Sequence, residues 1–435
     1  MDKVKIGVFG AYRGSTIINF SKYADNAEVV AVCDRSDAKL KEQRKNTEGM
    51  NITFYKEFDE FIKHDMDAVV LANYATEHAP FAIKAMKMGK HVLSECLPVQ
   101  TMKEAVELVE TVEETGKIYA YGENFCFMPA PYEMKKLYAE GKIGEFEYGE
   151  CDYNHNMAPY WHEYTYGDKN HWRNNRYSTF YCTHSIGPLL HITGLRPVSV
   201  TGFETTKNER NLSVGSKGAQ FGMEIVTLEN GGIIKSVHGG LYSPSVWYAM
   251  YGSKGAMESR RDIADKNGGG VTEIYISADD FSGSIGAPKY ENYLPKFEMA
   301  EKAEDSGHFG SDFYLFHNFV EKVKGNPDAD IVDVYEALDM FLPGLFAFRS
   351  ILDGGTAKEI PNLRDRSVRD KWRNDTACTD PKVAGDMLLP TCKSGTPDID
   401  DGVYEYMKEL WDEVCRTGKG VSFNLVFEQG NKDKK

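Results

Sequence analysis

The sequence predicts an α/β protein in two parts: an N-terminal Rossmann-type, doubly wound parallel sheet, then an α+β domain built on an open, mostly antiparallel sheet. Three observations predict it. The chain has 435 residues, more than one hydrophobic core usually supports. Its first part alternates short Val/Ile-rich runs with amphipathic stretches. From about Gly144 that alternation gives way to strand after strand, joined by turn pairs such as Asn230-Gly231.

In chain order, "KVKIGVFG" and "AEVVAVCD" read as buried parallel strands, each ending at a turn residue, with the helical spacing of "STIINFSKYA" between them. "DAVVLAN" is a third strand, "EHAPFAIKAMKMG" a helix closed by Gly89, and "KHVLSE" a fourth strand. In "TMKEAVELVETVEETG", Thr101 is placed to cap a helix with Glu104 three residues on, and Gly116 to end it. "KIYAYGEN" completes the sheet, so a nucleotide-binding domain spans residues 1–124.

Beyond it, "FEYGECDYNHN", "VSVTGFETT", "MEIVTLEN", "GIIKSVHGGLY" and "WYAMYGSKGAMES" carry strand character. Helical stretches interrupt or follow them: "HSIGPLLHITG", "SDFYLFHNFVEKVKG" and "VDVYEALDMFLPGLFAFRSILDGG". This second domain spans 125–365. An extension, 366–435, ends in an amphipathic helix and a charged tail.

Composition narrows the partners. A net charge of −15 and a pI near 5.3 argue against nucleic acid and anionic membranes. No apolar run reaches the length of a membrane span, and "MDKVKIGVFG" enters a strand directly, so a cytoplasmic protein is expected. The eight cysteines contain no C-x-x-C pair and read as free thiols, with no thiolate zinc site and no metal expected.

Chemistry starts at the first turn, Gly10-Ala11-Tyr12-Arg13-Gly14-Ser15. Glycines between a strand and a helix let a pyrophosphate approach the backbone at the helix N-terminus, although Tyr12 stands where a third glycine is usual. The second strand ends in Asp34, where a carboxylate accepts hydrogen bonds from an adenosine ribose and repels a 2′-phosphate. NAD is therefore favoured over NADP as cofactor, with Arg35 next door as the opposing feature.

Six ordered landmarks, "IGVFGAYRG", "AVCD", "DAVVLANYATEHAPFAIKAMKMGKHVLSE", "YGENFCFMP", "YCTHSIGPLLHITG" and "GHFGSDFYLFHNFVEKV", resemble the Gfo/Idh/MocA family of NAD(P)-dependent sugar oxidoreductases. The resemblance covers about Lys3 to Asp365. It implies a Rossmann domain followed by an open sheet that commonly forms oligomer interfaces, hence a homo-oligomer. It also implies that Asn73 and His78 lie near the cofactor ribose and nicotinamide, with Glu95 beside the cofactor. Asn124 would face both cofactor and substrate. His184 matches the family's active-site histidine, and His308 and Asp312 a segment returning to the substrate pocket.

Such chemistry needs a base within hydrogen-bond reach of the hydroxyl that loses its proton, and histidine, with an unperturbed pKa of about 6.5, suits it. His184 is the expected acid/base, with His155 as a second. Two departures stand out. Glu95-Cys96-Leu97-Pro98 carries a thiol where many relatives have a lysine, and Phe180 stands where an aspartate binds substrate. The His/Tyr-rich segment Glu150–Tyr177 is the expected replacement. Its aromatic faces and polar tips suit a sugar ring, with His155, Trp172, Arg173 and then Tyr181 as substrate contacts. The competing reading is an aromatic loop packed against a second subunit. A divalent metal gathered by His155, His184 and His308 has no ligand spacing to support it.

The leading function is NAD-dependent oxidation of a secondary hydroxyl, at C3, of a sugar or glycoside. The alternative is a redox-neutral glycoside hydrolase working through a transient 3-oxo intermediate, because "THSIGPLL" resembles the "THGLGP"-like motif of such relatives. A non-catalytic NAD sensor is a third reading, opposed by the retained His184.

Overall fold

The computed structural model describes residues 3–20, 24–206, 209–262, 270–278, 289–303 and 306–420. The charged tail read from the sequence lies outside them. Strands β1 (Val4–Phe9), β2 (Ala27–Cys33), β3 (Thr53–Tyr55), β4 (Ala68–Leu71), β5 (His91–Ser94) and β6 (Tyr119–Tyr121) form a parallel sheet in the order β3-β2-β1-β4-β5-β6. This is the doubly wound arrangement, whose crevice lies beyond the strand C-termini where the order reverses between β1 and β4. Strand β3 escapes the sequence pattern because its three residues are half-exposed and too short to alternate.

Helix α1 (Ser15–Phe20) follows the glycine turn, and α2 (His78–Lys87) ends near Gly89, which has φ +82°. In α3 (Met102–Thr115) the predicted capping box forms: the Glu104 amide donates to Thr101 Oγ1, and Glu104 Oε2 accepts from the Gln100 and Thr101 amides. Gly116 closes the helix in the left-handed region.

The second sheet runs β14-β13-β12-β11-β7-β10-β9-β8-β15, from β7 (Phe146–Asn154), β8 (Pro197–Glu204), β9 (Phe221–Leu228), β10 (Ile233–Gly239), β11 (Ser245–Gly252), β12 (Gly255–Ser259), β13 (Ile274–Ala278), β14 (Lys289–Tyr293) and β15 (Lys358–Glu359). Among the described residues of this sheet, only β7 and β10 pair in parallel. The run "WYAMYGSKGAMES" proves to be a hairpin, turning between Gly252 and Gly255.

Two apolar helices, α4 (Cys182–Thr193) and, later in the chain, Val334–Leu352, pack on this sheet and on each other. One continuous apolar cluster reaches from Val4 to Leu363, so both sheets share a core. The extension is stitched to its own chain: Arg369 forms a bidentate pair with Glu113 of α3, Arg373 pairs with Glu110, and Arg349 with Asp375. The hydrogen bonds from Arg369 hold the Glu113 carboxyl down at about 2. Among the described residues no helix is long and apolar enough to cross a membrane.

Candidate active site

At the nucleotide turn, Gly10 adopts φ +101°, and a Cβ there would stand 2.3 Å from the Ala72 carbonyl. Asp34 holds the turn: one carboxylate oxygen accepts from the Ala11 amide at 2.7 Å and the other from the Ser36 amide. Beyond the C-terminal end of β4, both polar atoms of the Asn73 side chain and Nε2 of His78 are buried without a hydrogen-bond partner. Orphaned buried polar atoms beside a glycine turn are what a bound dinucleotide would satisfy, so the residues present fit NAD. Arg35 is ion-paired to Glu77 at 3.0 Å.

Replacing Gly10 with alanine forces an L-residue into the left-handed region, a strain of about 1–2 kcal/mol per residue. The predicted result is at least a roughly tenfold weaker NAD titration with a lowered melting temperature.

Several cofactor-side residues turn inward rather than waiting for a ligand. Arg13 pairs with Glu95 at 2.8 Å and with Asp312 at 3.3 Å, and Asn124 Nδ2 donates to Asp312 Oδ1 at 2.8 Å. Burial opposes ionisation of Asp312, yet the His308 hydrogen bond and the Arg13 charge hold its carboxyl well below the usual range. Together these clamp the turn to the helix Ser311–Val323 of the second domain. His308 and Phe309 both have positive φ, 54° and 59°, a strained approach that brings His308 Nδ1 to Asp312 at 3.0 Å.

The central histidine sits in the first turn of α4. Pro188, inside that helix, has no N–H to donate to the His184 carbonyl four residues back. The Tyr248 hydroxyl from β11 takes that place at 2.6 Å and pins the helix start to the sheet. His184 Nδ1 meets both oxygens of Glu123, at 2.8 and 3.1 Å, and Glu123 is fully buried. Phe125, Tyr153 and Tyr181 surround the imidazole, their ring centroids at 4.7, 4.7 and 5.6 Å, with Tyr181 stacked at 6°. Among the described residues Nε2 makes no hydrogen bond and is the atom left for a ligand. Glu123 went unassigned in the sequence although it lies in "GEN", because its partner is 61 residues away.

Cys96, in the lysine's place, donates towards Glu123 Oε2 at 3.4 Å and the Gly122 carbonyl at 3.5 Å. Burial, reinforced by Glu123 and Glu95, pushes the thiol well above its ordinary value, so it acts as a hydrogen-bond donor rather than a thiolate. Cys96, Glu123 and His184 bring three potential ligand atoms within 4.8 Å of one another, a different trio from the three histidines considered on sequence.

His155 stands at the rim with Nδ1 3.2 Å from the Tyr153 hydroxyl; burial and the neighbouring cations lower its pKa. Arg173 donates to the Tyr181 hydroxyl at 2.8 Å and lies 4.4 Å over Trp172, which is itself packed on Phe180. Phe180, where an aspartate was sought, is a buried wall. Tyr166 and His171 reach the nucleotide side, His171 lying 4.9 Å from Tyr74 and 5.7 Å from Tyr166. The His/Tyr segment therefore bridges the two halves of the site within one chain.

A glycine turn held by Asp34, and a buried carboxylate–histidine pair, on a doubly wound sheet fit an NAD-binding enzyme of the oxidoreductase class. Residues 4–123 match the family model described as the oxidoreductase family, NAD-binding Rossmann fold, and residues 250–374 match the C-terminal domain of glycosyl hydrolase 109. The N-terminal part therefore matches a Gfo/Idh/MocA-type NAD-binding oxidoreductase domain, and the later part a glycosyl hydrolase 109 C-terminal domain. A glycosyl hydrolase family 109 protein of Solibacter usitatus (strain Ellin6076) is 26% identical over 407 residues, covering 85% of this chain and 89% of that protein. An alpha-N-acetylgalactosaminidase of Tannerella forsythia is 25% identical over 393 residues, covering 79% and 82%. Among solved structures, levoglucosan dehydrogenase in complex with NADH and L-sorbose superposes with a TM-score of 0.67 at 15% identity, over 83% of this chain and 100% of that one. An oxidoreductase from Agrobacterium radiobacter in complex with NAD+, L-tartaric acid and magnesium gives 0.67 at 14% identity, over 82% and 99%. These two share the fold.

Proposed function

We propose that the protein is an NAD-dependent glycoside hydrolase that oxidises C3 of the bound sugar only transiently, with N-acetylated amino-sugar glycosides as the first substrates to try. The observation that carries this reading is the glycosyl hydrolase 109 domain joined to an NAD-binding domain in one chain. The relatives named for that activity, matched over most of their length, point the same way.

When bound, NAD supplies the hydride acceptor for C3 and returns the hydride at the end of the cycle. His184 Nε2 takes the C3 hydroxyl proton, and the buried Glu123 charge against Nδ1 stabilises the imidazolium that forms. A ketone at C3 acidifies the C2 proton. Its removal lets electrons expel the glycosidic oxygen from C1, and that oxygen leaves protonated. The Tyr153–His155 couple at the rim is positioned for these two proton movements. Water then adds at C1 as a proton returns to C2, and the ketone is reduced with the proton held on His184. The sum is glycoside plus water giving sugar plus alcohol.

An aryl glycoside panel with NAD is expected to release aglycone with no net rise in NADH absorbance. In D2O the released sugar is expected to carry deuterium at C2. NADH accumulating mole for mole with substrate consumed would overturn the reading in favour of a simple dehydrogenase.

A further inference from the structure

Tyr153 and Tyr181, which contact the imidazole of His184, are two walls of a cavity. Its floor is formed by residues from β10 and the loop before β9, including His238 and Gln220. Among the described residues lining it there is no aspartate, glutamate or lysine, and Arg176 carries the one permanent charge.

Arg176 is held in an unusual way for an arginine. Its guanidinium lies 4.9 Å over Trp161 and 5.2 Å over Tyr181, whose hydroxyl is also a hydrogen-bond partner, and 3.9 Å from the Met157 sulfur. Its Nε is buried without a partner, and among the described residues no carboxylate lies within ion-pair distance. Burial lowers its pKa to about 10, offset in part by Tyr181, so it remains charged at neutral pH. Arg173 follows the same pattern on the other side of Tyr181: a tyrosine hydroxyl and aromatic faces, with no acid partner among the described residues.

More groups in the same cavity wait for partners. Gln220 Oε1 and the Tyr177 hydroxyl are buried with none, although those residues are only 4% and 5% exposed, and His238 Nε2 makes no hydrogen bond but stands 3.9 Å from the buried Glu224 carboxylate. Burial drives His238 down to about 4, so it is neutral and can share a proton with a ligand without adding charge. A desolvated cation with no counter-ion is costly, and a fold that keeps one against Tyr181, the ring stacked on His184, has a use for it. The planar guanidinium fork matches the geometry of an oxyanion.

We propose that this cavity is a subsite for an acidic substituent, a sulfate or carboxylate on the glycoside, received by Arg176. This rests on the glycosidase reading for the identity of the ligand's sugar, but its test does not. Sugars would be titrated calorimetrically into the NAD-loaded full chain: N-acetylgalactosamine, its 6-sulfate, and galacturonic acid beside galactose. At least one acidic sugar is expected to bind about tenfold tighter than its neutral parent. The sulfated and carboxylated arms report which oxyanion is taken. In Arg176→Gln the ratio is expected to collapse to near one, while Arg176→Lys keeps part of it; NAD titration and melting temperature check that the variants fold. If Arg176→Gln does not fold, the wild-type ratio and its fall in Arg176→Lys decide.

Equal binding of acidic and neutral sugars by the wild type, or a ratio unchanged by the Arg176 substitutions, would overturn the proposal. Arg176-dependent binding of an acidic sugar without cleavage of any glycoside would sink the glycosidase reading and leave the subsite standing. Cleavage of neutral glycosides with no preference for acidic ones would do the reverse.

Discussion

His184→Asn is expected to abolish measurable aglycone release, a fall of about 10³–10⁴-fold in turnover, with NAD titration unchanged. Asparagine keeps a polar group that can still meet Glu123, so the helix start and its Tyr248 anchor are undisturbed. It cannot hold a proton, and both the first oxidation and the final reduction need one at that position. The candidate NAD turn, Gly10 with Asp34 bonded to the Ala11 amide, belongs to the first sheet, whereas His184 belongs to α4. Retained NAD binding with lost turnover therefore separates a chemical defect from a folding defect. Activity within a few-fold of wild type would show that the proton acceptor has been assigned to the wrong side chain.

Glu123→Gln is the second large effect: kcat is expected to fall roughly 10²-fold with KM little changed. Glutamine has the same shape but no charge to stabilise the imidazolium, and its amide can present N–H to Nδ1 and fix the wrong tautomer. Glu123 is a positioning residue, buried behind the histidine and out of the cavity. A loss concentrated in kcat is what that placement requires, whereas collapsed packing would move KM, NAD affinity and melting temperature together. Glu123→Asp keeps the charge but withdraws it from Nδ1, and its kcat is expected between the other two.

What could be read from the sequence follows from how far each interaction reaches along the chain. The nucleotide turn, Asp34 and the Thr101 capping box are local, so their residues sit a few positions apart and were legible. His184 was found through the run "THSIGP". Its support was not: Glu123 lies 61 residues away, and the Tyr248 hydroxyl 64, answering a vacancy that Pro188 creates. Cys96 looked like a missing lysine, but only the folded chain shows its thiol spending its proton on Glu123. The extension, unplaceable from its composition, is fixed by arginine–carboxylate pairs whose partners lie on α3.

The last helix (Asp401–Thr417) has a consequence for the lifetime of the nucleotide complex. Trp411 rests on Tyr166, and Met407 and Leu410 join Ala158, Trp161 and Val214 in a small apolar cluster separate from the main core. Tyr166 leads through His171 to Tyr74 at the crevice, so that helix stands mechanically in series with the crevice wall. A cluster of so few side chains opens far more often than the strands beneath it, by local rather than global unfolding. If a nucleotide leaves past that wall, its dwell time is expected to follow this opening, which hydrogen exchange in Asp401–Thr417 would time directly. Under the proposed redox-neutral reaction a slow opening is an advantage, since nothing needs to leave between turnovers except the sugar and the alcohol.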